Sequence, residues 1–490
     1  MTTYHADIQY CVRSNDRWCD ILLALRPFIW SALLALVFFV SGAAADPPAG
    51  GAQGGAAAPC SPNPNGNPGC SGAGNPVNLA TGNKYQHEID LAPLPGVLGL
   101  RFERHYNSGS RHRGLTGIGW RSSYEIVLVD LGAEVQIIDA DGTRRTFAKD
   151  PQHASVCVSS RPKDGRLLIA QDKDQHPDRR TYRWQRLDGA EYVFGHGTGG
   201  GHPLQSMVAA SGERVTLNYL GGALDSVRDA QGRELKFVYE RGGTSPGRDR
   251  ALTLSAIDTP IGRLLYARDE RGRLATITQP NTLVRRYHYE AEHQSGDPYL
   301  LTGMSVEYKQ DGTTRAERIA TYRYDARGRA VRTQHAGGDD LTLSYDEARN
   351  QITVTRTGGA ADNSTVYRRA LIAGQWTLVE GKGPGCSSCP PANVRYVFNR
   401  AGQREREEQL DARGQPERAT QTRFDLSGRP LRIERIEYRN GKPTAPRLLL
   451  RAEYAEPASS SSTESAAVFS ASWRPQLWRA RVWCRVANTP

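Results

Sequence analysis

The chain has 490 residues, of which 38% are hydrophobic, enough for a sizeable core, and a length that permits about two to four domains. Glycine is abundant at 50 residues, tyrosine reaches 21 and methionine only 3, a balance that favours short strands and turns over long helices. The formal net charge of +11 would attract nucleic acid, anionic polysaccharide or lipid headgroups, but the arginines are scattered among Asp and Glu with no compact basic stripe, which argues against a nucleic-acid binder.

Residues Pro27 to Val40 form an apolar run that ends in Ser41-Gly42-Ala43-Ala44-Ala45. This reads as the core of a signal peptide with a small-residue cleavage site, so residues 1–45 are assigned to a signal and cleavage is expected after Ala45. The run is shorter than the roughly 20 apolar residues of a membrane span. An uncleaved anchor is the alternative, because the preceding segment is long and sets Arg13 and Arg17 against Asp7, Asp16 and Asp20. The expected location is outside the cytoplasm: periplasm, cell surface or secreted, with membrane contact only through this segment. Residues 46–74 are a Pro/Gly-rich linker that cannot bury enough apolar surface to offset chain entropy. Cys60 and Cys70 bracket its Pro-Asn-Gly stretch and can pair in an oxidising compartment.

From Asn75 onward the apolar pattern has period two. Ile126, Leu128 and Ile137 lie in alternating stretches, and Asp141-Gly142 separates two of them as a hairpin turn does. A repeated unit then emerges around Asp229-x-x-Gly232-Arg233, Asp269-x-x-Gly272-Arg273, Asp325-x-x-Gly328-Arg329 and Asp425-x-x-Gly428-Arg429, with weaker copies at Asn399 to Gly402 and Asp411 to Gly414. Gly232 and Gly272 are separated by two units of about 20 residues each. Asp at the first place and Gly at the fourth suit a type I turn. The carboxylate can accept the turn's own N–H groups, and Gly tolerates the positive φ that leads into the next strand. The aromatic residues just before the turns, Tyr324, Phe398 and Phe424, are expected on one sheet face.

Two stretches carry a family resemblance. One is the turn set, above all Tyr324-Asp325-x-x-Gly328-Arg329 and Phe424-Asp425-x-x-Gly428-Arg429-Pro430-Leu431. The other is Asn75-Pro76-Val77-Asn78-Leu79-Ala80-Thr81-Gly82-Asn83-Lys84, followed by Arg104-His105-Tyr106-Asn107-Ser108 and Gly117-Ile118-Gly119-Trp120. Together they resemble the bacterial RHS or YD-repeat family and its N-terminal opening module, over about Asn75 to Tyr454. The resemblance implies an all-β fold: an opening β-module at 75–150, then a curled or spiralling sheet of YD repeats at 151–456, forming part of a shell. It also implies a scaffold that encloses a toxin cargo in full-length relatives or binds surface components. The chain departs from the family pattern near Tyr454, where the repeats stop. Residues 457–490 hold a Ser-rich run and Trp473, Trp478 and Trp483 without strand alternation; they read as a degenerate tail that supplies no capping strand, and the protein reads as truncated. A small basic aromatic lipid-binding tail is the sharper alternative.

No catalytic constellation, cofactor site or metal site is legible. Cys386-Ser-Ser-Cys389 can be a loop disulfide, a redox pair or half a zinc site, but no βαβ context or second ligand pair accompanies it. A similar Gly-Cys-x-x-Cys-Pro element in some YD-repeat proteins supports the structural reading. Gly195 to His202 is Gly-rich but lacks the G-K-[ST] of a phosphate loop, so it reads as a loop between strands. His112, His288 and His293 read as isolated. The expected function is therefore a non-catalytic scaffold. The rivals are a carbohydrate-binding adhesion protein, whose exposed Tyr and Trp would stack on sugars, and the remnant of a toxin that has lost its effector.

Overall fold

The structure is a computed structural model that describes residues 72–454 and 480–483, except 160, 162–163, 172–179, 197–200, 242–251, 338–339, 359–362, 387 and 426–427. The signal segment with Ala45, most of the linker with Cys60 and Cys70, and most of the tail lie outside the described residues. No α-helix is present among the described residues, and a 3-10 turn at Ala291–His293 interrupts the strands. The fold is all-β, as the period-two pattern predicts.

Most strands belong to one antiparallel sheet in which each pairs with the next along the chain, from Val127–Asp130 onward to Arg447–Tyr454. Its first eight strands close on themselves, because Val127–Asp130 also pairs with the start of Gly201–Val208, Val127 opposite Pro203 and Val129 opposite Gly201. Leu128, Ile137, Phe147, Leu167, Trp184, Phe194 and Leu204 are buried there. Eight strands make an interior just wide enough for side chains to fill. Hydrogen bonding does not break at residue 150: Val127–Asp130, Glu134–Ile138 and Arg144–Lys149 are all part of the main sheet.

The turns explain why this sequence keeps folding back on itself. At Asp269, Oδ1 accepts the N–H of Arg271 at 3.0 Å and of Arg273 at 2.9 Å, and Oδ2 accepts Arg273 Nε at 2.6 Å. Gly272 N donates to Asp269 O at 2.9 Å, and its φ is +75°. Asp229, Asp325 and Asp425 repeat the arrangement. The arginine has a second contact that the turn motif does not show. Arg273, Arg329 and Arg429 lie 4.5, 4.3 and 4.4 Å over the rings of Tyr289, Tyr345 and Tyr454. Tyr345 and Tyr454 in turn donate to the carbonyls of Ala330 and Pro430, the residues that follow those arginines. Three of the four units are thus tied to a tyrosine further along the sheet by an Asp–Arg–Tyr chain.

A second, three-stranded sheet is made by Tyr85–Leu91, Phe102–Asn107 and Trp120–Ser122. It packs against the main sheet through fully buried aromatics: Phe102 lies 5.9 Å from Phe237 and 6.1 Å from Tyr266, and Trp120 lies 5.4 Å from Tyr287, measured between ring centres. Burying each such ring is worth about 1.5–3 kcal/mol. Contacts to this small module and its flanking segments come from residues as far apart as Arg233, which donates to Pro95 O, and Ser388, whose carbonyl accepts Gly74 N, so the repeat sheet curves around it. We call this module the plug. Beyond its reach the packing thins: past Leu378, the buried apolar residues among those described are Val394, Leu410, Ala419, Ile436 and Ala452.

The tail corrects one expectation. Ala480–Trp483 forms a strand antiparallel to Arg447–Tyr454, with Ala452 opposite Val482. Backbone pairing at an open edge asks little of side-chain alternation, which is why composition did not reveal it.

Candidate functional site

The plug places its side chains by strand alternation. Gln86, Glu88, Phe102, Arg104 and Tyr106 face the repeat sheet, while Tyr85, His87, Glu103 and His105 face the other way. The register shifts between Ile89 and Leu91, so Asp90 is the extra residue of a bulge. Asp90 follows Glu88 by two residues and so shares its inward face, and the shift instead brings Leu91 opposite Phe102.

Arg104 and Asp90 are the centre of the inward face, and both side chains are 0% exposed. Arg104 Nε and Nη2 donate to the two Asp90 oxygens at 2.5 and 2.9 Å, and Nη2 also donates to Tyr287 Oη at 2.6 Å. Tyr266 donates to Asp90 Oδ2 at 2.9 Å. Beside them Arg285 reaches Glu88 at 2.5 Å, and Gln86 donates to Glu88 at 2.6 Å. Tyr322 donates to Gln86 at 3.3 Å and accepts from Asn75 at 2.9 Å. Burial works against the charge of Arg104, and the Asp90 carboxylate more than offsets it, so its pKa is raised. Burial pushes the Tyr266, Tyr287 and Tyr322 hydroxyls up, with Asp90 adding to the rise at Tyr266. Lys84, fully buried 4.4 Å over the Tyr322 ring, is driven well below its usual pKa by burial, with Glu88 opposing. A buried ionic network is acceptable only when its members are paired, and these pairs come from both the plug and the sheet.

Main-chain contacts complete the docking. Ala330 N donates to Gly82 O at 2.9 Å, Leu301 N to Tyr106 Oη at 3.0 Å, and Arg369 Nη1 to Ala80 O at 2.6 Å. A Cβ on Gly82, whose φ is +79°, would stand 2.5 Å from Arg329 Cβ. Two of the segments singled out for their resemblance, Asn75 to Lys84 and Arg104 to Ser108, therefore lie at this interface. It joins parts of the chain that are far apart in sequence.

The opposite face of the plug holds a cluster that sequence reasoning missed. His87 Nε2 lies 3.0 Å from Glu103 Oε2, and the His87 and His105 rings stack 4.7 Å apart with 7° between planes. Tyr85 Oη lies 2.7 Å from His105 Nδ1. Burial, then His87, pushes the His105 imidazole down to about 3. Burial alone would raise the Glu103 carboxyl, but the hydrogen bond from His87 and the charge of Arg101 leave it lowered. Only the strand register could have joined these residues.

The repeat-turn residues named from sequence sit at turns spread along the sheet and do not converge on a site. Cys386 and Cys389 are joined by a disulfide, beside which Ser388 O accepts Gly74 N at 3.1 Å. Cys157 is a free, buried thiol whose pKa burial raises. His112 and His293 are not isolated as expected: they lie 3.2 Å from Glu125 and 3.3 Å from Glu290. His288 lies 2.7 Å from Ser305 Oγ. His202 is the second residue of the Gly201–Val208 strand, its Nδ1 2.9 Å from Gly195 O. A shallow groove lined by Arg349, Arg368, Glu380 and Lys382 is occupied by its own ion pairs, both at 3.1 Å.

Fold and interface together define an antiparallel strand wall curled around a polar-cored plug. A family described as a domain of unknown function, DUF6531, matches residues 74–147, which includes the plug. The chain is 27% identical over 296 residues to double-stranded DNA deaminase toxin A of Burkholderia cenocepacia (strain H111), covering 56% of this chain and 19% of that protein. It is 29% identical over 294 residues to the probable deoxyribonuclease RhsA of Dickeya dadantii (strain 3937), covering 57% and 18% respectively. The chain thus matches about a fifth of the length of these curated relatives, and it is similar to Rhs-type toxin proteins over that part. Among solved structures, TcdB2-TccC3 without its hypervariable C-terminal region is 11% identical with a TM-score of 0.32, over 74% of this chain and 21% of that one. The N-terminal domain of the effector SpvB from Salmonella typhimurium strain LT2 is 12% identical with a TM-score of 0.20, over 60% and 97%. No helix among the described residues is long and apolar enough to cross a membrane.

Proposed function

We propose that this chain is a non-catalytic scaffold, the plugged end of an Rhs-type shell whose wall encloses a polypeptide cargo. The observation that carries this reading is the buried Arg104–Asp90 pair, bonded to Tyr266 and Tyr287 of the wall. A plug so fixed seals the space behind it and gives the repeat sheet a form around which to curl. The enzymatic names of the relatives belong to proteins of which this chain matches about a fifth.

Two assays on the purified chain test the proposal. The first looks for cleavage and for cytosine deamination of double-stranded DNA; turnover above that of a buffer control would contradict the non-catalytic part. The second fuses an unstructured, protease-sensitive passenger after Pro490 and follows its digestion. Enclosure predicts digestion at least tenfold slower than that of the free passenger, and equal rates would rule enclosure out.

A further inference from the structure

The geometry points to a binding site for a divalent transition-metal ion of the zinc class, formed by His87, Glu103 and His105 on the face of the plug opposite the Arg104–Asp90 pair. His87 and His105 are directly opposed across an antiparallel pair, where Cβ atoms stand about 4.5–5.5 Å apart. Glu103 lies two residues before His105, hence on the same face. One ligand atom from each residue lies within 4.8 Å of the others, and His87 Nε2 and Glu103 Oε2 are already 3.0 Å apart. A tetrahedral zinc with bonds of about 2.0–2.1 Å needs its ligands about 3.4 Å from one another, so closure asks for a small side-chain rotation and no backbone change.

Three further features suit a cation. Two imidazoles and a carboxylate are donors of the borderline type that zinc prefers. Tyr85 occupies Nδ1 of His105, leaving Nε2 to the metal and supplying the outer hydrogen bond that orients a ligating histidine. Asp139 and Asp141, in the turn before Arg144, act electrostatically on His105 and Tyr85. Arg101 is the opposing charge, but it pairs with the other Glu103 oxygen, Oε1, at 3.4 Å and its side chain is half exposed, so it is free to swing aside. His87 and Glu103 are part-exposed, which gives an ion an entry path. The bound ion would clamp the first two strands of the plug on the face opposite the Arg104–Asp90 pair, beside the Asp139–Thr143 turn of the wall.

Titration of the full chain with Co2+, followed by visible absorption and then by displacement with Zn2+, tests the site. The chain is first stripped with chelator, and its disulfide is kept intact. Wild type should take up one equivalent more than His87→Ala and show the absorption of a tetrahedral cobalt centre. Glu103→Gln should weaken binding at least tenfold, and Tyr85→Phe by about 10–100-fold. His112→Ala, at a His–Glu pair elsewhere in the module, should bind as wild type does. Circular dichroism confirms that each variant is folded; His105→Ala is avoided because that side chain is buried. Equal metal uptake by wild type and His87→Ala would overturn the assignment, whether both bind or neither does.

Discussion

Arg104 of the plug donates through Nη2 to Tyr287 Oη at 2.6 Å, joining residues 183 positions apart in a site from which water is excluded. The bond ties the plug to the middle of the repeat wall. Removing the guanidinium leaves Asp90 buried without its partner, so Arg104→Ala should cost about 3–5 kcal/mol. Tyr287→Phe removes one hydrogen bond and should cost about 1–2 kcal/mol. Denaturant melts of both variants measure the two losses, and near-equal values would show that the ion pair is not the main element of the latch.

The turns allow a comparison of two glycines. Gly272 has a φ of +75° and open space where a Cβ would lie. Gly272→Val should therefore cost only backbone strain, about 1–3 kcal/mol, and Asp269→Ala about 1 kcal/mol from lost turn hydrogen bonds. Gly82 combines a φ of +79° with a Cβ clash at 2.5 Å against Arg329. Gly82→Ala should destabilise more than Gly272→Ala, because it pushes the plug off the wall as well as straining the backbone. Thermal melts that rank the two alanine variants in the reverse order would contradict the docking of the Asn75–Lys84 segment.

These two sites also show what the sequence could reveal. Asp269, Gly272 and Arg273 lie within five residues and bond to one another, so composition and spacing were enough to find the turn. Tyr289 and Tyr345 were harder: their arginine partners lie one strand away, and only the register joins them. The plug latch was out of reach, since Asp90–Tyr266 and Glu88–Arg285 span 176 and 197 residues. The His87–His105 pair was hidden for a related reason, because facing across two strands leaves no spacing signature. Closure of the first eight strands depends on Val127 meeting Pro203, and no local pattern encodes it.

Stability should depend on pH through Asp130. Its carboxylate accepts Lys149 Nζ at 2.8 and 3.0 Å, Tyr182 Oη at 2.7 Å and Gly132 N at 2.9 Å. Burial alone would raise its pKa, but these bonds outweigh burial and hold it at about 2. The unfolded chain then binds more protons than the folded one between its value of about 4 and the folded value, so stability is full above that range and falls as pH drops through it, by about 2 kcal/mol in all. Asp130→Asn should flatten this part of the curve. An unchanged acid limb in that variant would exclude Asp130 as its source.

The Cys386–Cys389 bridge closes a very short loop. It should be found intact by non-reducing peptide mapping of protein exported from an expressing cell, and reducing it should cost no more than about 2 kcal/mol. Free thiols in the exported protein would argue for the redox or metal alternatives at this motif.

Hydrogen exchange on the full chain tests most directly whether plug and wall are one structure. Peptides covering Phe102–Asn107 and Val284–His288 are followed in the native state and at rising denaturant. If the plug is locked into the wall, both should exchange only through global unfolding, with the same free energy and the same denaturant dependence. Exchange of the Phe102–Asn107 amides at a much lower opening energy, while Val284–His288 stays protected, would show the module to be a separate domain resting on the sheet and would contradict its role as the plug.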